Sequence, residues 1–205
     1  MITYLIYILT IIFYLLIAYF LIDYKTYINV SILNRIVLYW MVFSLFIALF
    51  ELLLFTSSDY IINISRKQKN FWYENIPISN ILSYTFWSKG WSEYGFFCDS
   101  RYKEKKNIVH YIELIHAITA FIYVYILYHY VRYNTIDTSF IGKIMIFIST
   151  IHLLFTLIYF ITFLFNFNKN PITTTIKFWV YLLLNILWIV FPSLVLLKGI
   201  NILYY

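Results

Sequence analysis

Charge is what this sequence has least of. Asp, Glu, Lys and Arg together make up 12% of the chain, against about 25% in an average soluble domain. So little charge excludes an ordinary water-solvated surface and points to an integral membrane protein. Cysteine is nearly absent: Cys98 stands alone, which excludes an intrachain disulfide and a cysteine-based metal site. Glycine and proline are scarce, with 4 and 3 residues, as a bundle of uninterrupted helices requires. There is no internal repeat and no low-complexity linker, so residues 1–205 are expected to form one domain. A secretory signal is missing too. The first apolar run has no basic flank, is too long, and lacks a small-residue cleavage site, so it is expected to be a retained span.

What is present is hydrophobic: 63% of residues, with aromatics at 23%. The chain is also rich in Ile, Asn and Lys, which share AT-rich codons with Tyr and Phe. The aromatic excess is therefore not taken as a functional signal. A helix needs about 20 apolar residues to cross the hydrocarbon core. Five segments qualify: approximately Ile2–Ile22, Ile36–Phe55, Ile108–Val131, Ile144–Phe165 and Phe178–Leu197. The expected fold is an all-α membrane protein, a five-transmembrane-helix bundle with an intramembrane ligand cavity.

The connection from Thr56 to Asn107 is too long for a simple turn. It carries Trp72, Trp87 and Trp91, and aromatic rings favour the membrane–water boundary. It is expected to lie along the interface, with a short amphipathic helix near Ile78–Phe86. The net charge of +6 comes from bases clustered at loop edges, among them Arg66, Lys67, Lys69, Arg101, Lys103, Lys105 and Lys106. In such a chain these read as topology signals and contacts with acidic lipid headgroups, not as a nucleic-acid surface. Ten of the 15 Lys and Arg residues fall on the side of the long loop, which favours a cytoplasmic long loop. The sequons Asn29-Val30-Ser31 and Asn63-Ile64-Ser65 lie on opposite sides and do not decide the orientation.

Two acids interrupt apolar runs: Glu51 in the second span and Glu113 in the third. A carboxylate in hydrocarbon costs roughly 2.5–3.5 kcal/mol on insertion scales, so an intramembrane acid marks function by default. Both glutamates lie within a turn or so of the long-loop end. Asn185 enters the last span from the same side, on a stripe with Tyr181, Trp188 and Pro192 at spacings of three and four. The fourth span returns there with His152, Thr156 and Tyr159 on one face and Thr162 a turn further. Polar groups in lipid turn inward, where they pair. The pattern implies a polar-floored, aromatic-walled cavity suited to a large apolar ligand with one polar head. Thr156, Thr162 and His129 taken singly read as interhelical glue. The histidines, with His116 and His152 able to face the interior and His110 and His129 near the ends of the third span, show no i, i+4 pair of the helical metal type. No metal is expected.

Several of these residues occur in an order that resembles the emopamil-binding protein family, the sterol isomerase branch of the EXPERA domain. Trp91-Ser92-Glu93-Tyr94, followed by Asp99-Ser100-Arg101-Tyr102, is similar to the family's Trp-x-Glu-Tyr and Asp-Ser-Arg-Tyr before the third span. Glu113 follows at the family spacing. Asn185-Ile186-Leu187-Trp188-Ile189-Val190-Phe191-Pro192 resembles Asn-x-Leu-Trp-x-Val-x-Pro, and Tyr159-Phe160-Ile161-Thr162 resembles Tyr-Phe-x-Thr. The resemblance covers residues 36–197.

The resemblance implies a sterol isomerase that moves a ring double bond from position 8(9) to 7(8) without a cofactor. Glu51 and Glu113 would transfer protons, while Trp188 and Asn185 would stabilise a carbocation. With Tyr181, Tyr159, Thr162 and His152 they are the substrate-contacting candidates. Trp91, Tyr94, Asp99, Arg101 and Tyr102 would order the loop, with Asp99 and Arg101 paired over the cavity mouth. The expected partners are a sterol or other amphiphilic lipid and membrane lipids. The family likeness also suggests a homodimer and the endoplasmic reticulum or an equivalent host membrane. Three positions depart from the family. Ile47 replaces a histidine, His116 replaces a threonine, and Thr156 stands where an acid is expected. Either the proton relay runs through His116, or a non-catalytic sterol- or lipid-binding cavity remains. A structural or chaperone-like membrane partner is the third reading.

Overall fold

The computed structural model describes residues 3–24, 31–65, 75, 77, 79–80, 83–166 and 175–204. Among the described residues eight α-helices follow in chain order: α1 Thr3–Tyr19, α2 Ile32–Thr56, α3 Ser58–Ser65, α4 Tyr84–Phe97, α5 Ile108–Ala120, α6 Tyr123–Tyr133, α7 Ser139–Phe165 and α8 Thr175–Tyr204. A π-helical segment, Phe20–Tyr24, extends α1, and a 3-10 turn, Ser100–Lys103, separates α4 from α5. Phe121 and Ile122 keep right-handed helical angles between α5 and α6, so the two form one rod. Five helical stretches among the described residues are long and apolar enough to span a membrane: Leu5–Asp23, Ile32–Thr56, Ile108–Tyr133, Ser139–Phe165 and Tyr181–Tyr204. The protein is thus an all-α, multi-pass membrane bundle, with the five spans where the hydropathy put them.

Local chemistry sets the helix starts. Ser31 Oγ accepts from the Asn34 amide at 3.2 Å, and Thr138 Oγ1 accepts from Ile141 at 3.3 Å. These caps satisfy amides that lack a partner inside the helix. They begin the second and fourth spans at Ile32 and Ser139, several residues before the apolar runs suggest. Asn107 and His110 form a reciprocal cap at the start of α5. Asn134 ends α6 in the left-handed conformation (φ 54°), which asparagine tolerates better than most residues.

The long connection differs from the expectation. The helix nearest the expected segment is α4, which starts at Tyr84 behind the Ser83 cap and runs through Trp91 and Tyr94. Residues 78, 81 and 82 of the expected amphipathic segment lie outside the described residues, as does Trp72. A further short helix, α3, was not expected.

α2, the α5–α6 rod, α7 and α8 form a closed ring, while α1 packs outside against α2. Phe13 and Leu15 of α1, 59% and 53% exposed, present the outward apolar face that a lipid-facing helix needs. Two apolar clusters fill the ring. One gathers Trp40, Met41, Tyr123, Ile126 and Met145; the other gathers Leu54, Tyr102, Ile112, Tyr159 and Phe163 near α4. Glu51 and Glu113 each stand between residues of the two clusters along their helices. α7 and α8 approach closely at two glycines. A Cβ on Gly199 would sit 2.8 Å from the Gly142 carbonyl oxygen, and one on Gly142 would sit 3.0 Å from that of Gly199. Small residues allow this backbone contact between helices in lipid.

Gly199→Val should therefore destabilise the bundle by about 1–3 kcal/mol, as overpacking does. Leu197→Val, at a side chain 53% exposed, should leave it within experimental error. Thermal unfolding of both variants in detergent checks this.

Candidate functional site

The segment from α4 through the 3-10 turn ties the spans together. Trp91 Nε1 donates to the Phe50 carbonyl on α2 at 2.8 Å, next to Glu51. The Trp91 ring stacks on Tyr102 at 5.1 Å and 13°. Asp99 caps the turn by accepting from the Arg101 amide at 3.1 Å. Its carboxylate also takes the Arg101 guanidinium side-on, with Nε to Oδ1 at 2.9 Å and Nη2 to Oδ2 at 2.6 Å. Arg101 Nη1 donates to Thr162 Oγ1 on α7 at 2.6 Å, and the Tyr159 hydroxyl donates to Asp99 Oδ2 at 2.9 Å. Asn185 Nδ2 on α8 donates to the Tyr94 hydroxyl at 3.0 Å and to the Tyr181 carbonyl at 2.8 Å. The Tyr102 hydroxyl donates to Glu113 Oε1 on α5. One loop thereby touches all four helices of the ring.

Electrostatics support the arrangement. Burial alone would disfavour the Arg101 charge, but the Asp99 carboxylate outweighs it and holds the guanidinium protonated beyond its usual range. Burial, reinforced by the charges of Glu113 and Asp99 nearby, pushes the Tyr102 phenol well above its ordinary value, and burial does the same for Tyr94. Both stay neutral hydroxyls that can donate.

Glu51 reaches the interior from α2 and is 1% exposed. Glu113 and His116 come from α5, and one ligand-type atom of each of the three residues lies within 4.8 Å of the others. Glu113 is the polar group that acts on Glu51. Among the described residues, no amide, hydroxyl or ring N–H donates to either Glu51 oxygen, and His116 Nε2 has no hydrogen-bond partner. The His116 ring lies flat on Trp188 at 5.3 Å and 14°, and 5.0 Å from the His152 ring. His152 Nε2 meets Thr119 Oγ1 at 2.8 Å. Trp40 closes the far side of Trp188, edge-on at 5.1 Å.

A cavity of about 20 Å³ opens beside the acids, lined by Glu113, His116, Thr156, Tyr159, Asn185 and Trp188. Glu113, Thr156, Tyr159, Asn185 and Trp188 line it as the sequence suggested, while Glu51 does not, and the volume admits about one water molecule and no ring system. The stacked Trp188 and His116 rings fill the space that a larger ligand would take. A second hollow, about 60 Å³ between α1 and α2, is lined by Tyr14, Val42 and Phe46 among others and bears no charged group.

The structure brings Glu51, Glu113, His116, Asn185 and Trp188 into one neighbourhood. Tyr159 borders the cavity with its ring, while its hydroxyl serves Asp99. Thr162 turns its hydroxyl to Arg101, outside the cavity. Tyr181 stacks on Phe163 at 4.1 Å, and His152 stands behind His116. Asp99 and Arg101 pair as expected. Tyr102, read as a loop residue, proves to be the direct partner of Glu113. No periodicity could show this, because the contact forms across a turn between two helices. Thr119, the partner of His152, was also missed; it shares the i+3 stripe of His116 on α5.

Fold and site together define a multi-pass helical membrane protein with a pair of facing acids, Glu51 buried and Glu113 half-buried, under an ordered interfacial loop. No family model and no curated protein matches the chain.

Asp99→Leu should cost about 3–5 kcal/mol, because it strands the Arg101 charge in the interior. Asp99→Leu combined with Arg101→Leu should recover much of that loss, since neither charge is then buried. Melting temperatures of the three proteins in detergent check both expectations.

Proposed function

We propose that this protein binds a sterol and shifts its ring double bond from position 8(9) to 7(8). The observation that carries the reading is the meeting of Glu51 and Glu113, from two different helices, beside Asn185 and Trp188. Two facing carboxyls in an apolar interior repel when both are charged, and sharing one proton removes that repulsion. One neutral acid and one base at a single site is what the reaction needs. The acid delivers its proton to C9 of the alkene, leaving the cation at C8. The base then takes a proton from C7, and its electron pair becomes the new 7(8) double bond. Atoms and charge balance without a cofactor. Asn185 offers a fixed dipole and Trp188 a π-face to the cation. His116, with a ring nitrogen within 4.8 Å of a carboxylate oxygen of each acid, returns the proton from base to acid after each turnover. The resemblance to the emopamil-binding protein family supports this assignment, and with it a location in the endoplasmic reticulum or an equivalent membrane.

Entry of a sterol requires the Trp188–His116 stack to open, since the cavity beside it is small. Opening from the membrane side would deliver an amphiphile already dissolved in lipid. A second reading, sterol or lipid binding without turnover, is favoured by Ile47 in place of the family histidine. The reading as a purely structural membrane partner is opposed by Glu51 and Glu113, because groups that glue helices pair donor with acceptor and two carboxyls bond each other only when one holds a proton.

Expression in a yeast strain lacking its own sterol 8,7-isomerase, followed by gas-chromatographic sterol analysis, tests the proposal. The native chain should accumulate the 7(8)-unsaturated sterol. Glu113→Gln should lower product by about 10²-fold or more, as loss of a proton-transfer group does. His116→Thr should lower it as well if the relay runs through the imidazole. No conversion by well-expressed native protein in the correct membrane would overturn catalysis and leave the binding reading.

A further inference from the structure

Glu51, Glu113 and His116 bring two carboxyls and an imidazole together in the interior. Arg101 is the one Lys or Arg buried among the described residues, and Asp99 already binds it at 2.6 Å. Glu51 and His116 are 1% and 4% exposed, yet no amide, hydroxyl or ring N–H among the described residues donates to either Glu51 oxygen, which has only the Glu113 carboxyl to face, and His116 Nε2 has no hydrogen-bond partner there. Buried polar atoms are nearly always satisfied, so a convergent set of unsatisfied ones points to a partner such as an ion.

We propose that Glu51, Glu113 and His116 form a binding site for a divalent transition-metal ion. Their donor atoms lie within 4.8 Å of one another, close enough for side-chain rotation to bring them to metal–ligand distances of about 2.0–2.2 Å. Glu113 and His116 sit three residues apart on α5. This Glu-x-x-His spacing presents an oxygen and a nitrogen from one helix face, as in metal sites built inside helix bundles. Glu51 adds an oxygen from α2. A divalent ion would balance both carboxylates and satisfy the unpartnered atoms in one step. The Tyr102 hydroxyl, which donates to Glu113, plays the part of the outer hydrogen bonds that orient ligating carboxylates. The adjoining cavity of about 20 Å³ has room for a water as a further ligand. Two oxygens and an imidazole without thiolate suit Zn²⁺, Mn²⁺, Fe²⁺ or Co²⁺ rather than Cu⁺.

The site goes beyond the isomerase reading and competes with it. An ion on these carboxyls excludes the shared proton, so metal-loaded protein would not turn over sterol.

The test uses the full-length protein in detergent, stripped with EDTA and desalted, then titrated with Co²⁺. The native chain should bind one Co²⁺ with visible d–d absorption, displaced by Zn²⁺. Binding should be lost in Glu51→Gln and in His116→Thr, and weakened about 10–100-fold in Tyr102→Phe. It should persist in His129→Gln, whose ring meets the Thr135 carbonyl at the far end of the same rod. Circular dichroism establishes that each variant is folded. X-ray absorption of the Zn²⁺-loaded native protein gives a readout that needs no variant, and should show oxygen and nitrogen ligands with one imidazole. Absence of Co²⁺ binding by folded native protein, binding undiminished in both Glu51→Gln and His116→Thr, or ligation without imidazole overturns the site. Sterol conversion is measured separately on the stripped protein, so failure of either idea leaves the other to be judged by its own readout.

Discussion

Asp99 and Arg101 hold each other in the interior of the bundle, and the rest of the site is built outward from that pair. A buried guanidinium with no partner is strongly destabilising, and so is a lone buried carboxylate. Each therefore commits the other to one geometry. The pair then recruits Tyr159 and Thr162 from α7, which fixes the 3-10 turn against that helix. Once the turn is fixed, Tyr102 is aimed at Glu113 and Trp91 packs over Tyr102. The interfacial loop thus becomes part of the interior.

The contrast between this pair and the acids beside it is informative. Asp99 accepts from Arg101 and Tyr159, and Arg101 donates to Asp99 and Thr162. Glu51 receives no amide, hydroxyl or ring N–H among the described residues and faces only the Glu113 carboxyl, although it is buried as deeply. The same low-dielectric interior that strengthens a satisfied network penalises an unsatisfied group. Stability alone would favour an apolar residue at position 51. A bundle that keeps a carboxyl there, facing a second one, has a use for it. A shared proton and a bound divalent ion are the two physical ways of relieving that repulsion.

The five spans were legible because hydrocarbon imposes length and apolarity on any helix that crosses it. Glu51, Glu113 and Asn185 were legible as candidates because each is conspicuous against an apolar run. The motif around Trp91 and Asp99 was legible as a unit, and the Asp99–Arg101 pair was expected from it. The roles within the unit were less so. Tyr102 stands eleven residues before Glu113 with a turn and a helix start between them, so neither helical nor strand spacing relates the two. The described interfacial helix overlaps the expected one only over Tyr84–Phe86 and runs on to Phe97, because the Ser83 cap sets its start.

What the sequence by itself determined is the class: all-α, multi-pass, with acids held in the membrane interior. Hydropathy and helix length are one-dimensional properties, and the bilayer converts them directly into spans. What only the tertiary structure decided is which polar groups meet. Glu51 joins Glu113 and His116 because α2 packs against α5, Thr162 serves Arg101 because α7 passes the 3-10 turn, and Trp188 closes on His116 because α8 lies between α2 and α7. The volume of the cavity was decided there as well. Lining residues can be read from helical stripes, but the space between them depends on how large aromatic rings stack, and close packing is set jointly by all the helices of the ring.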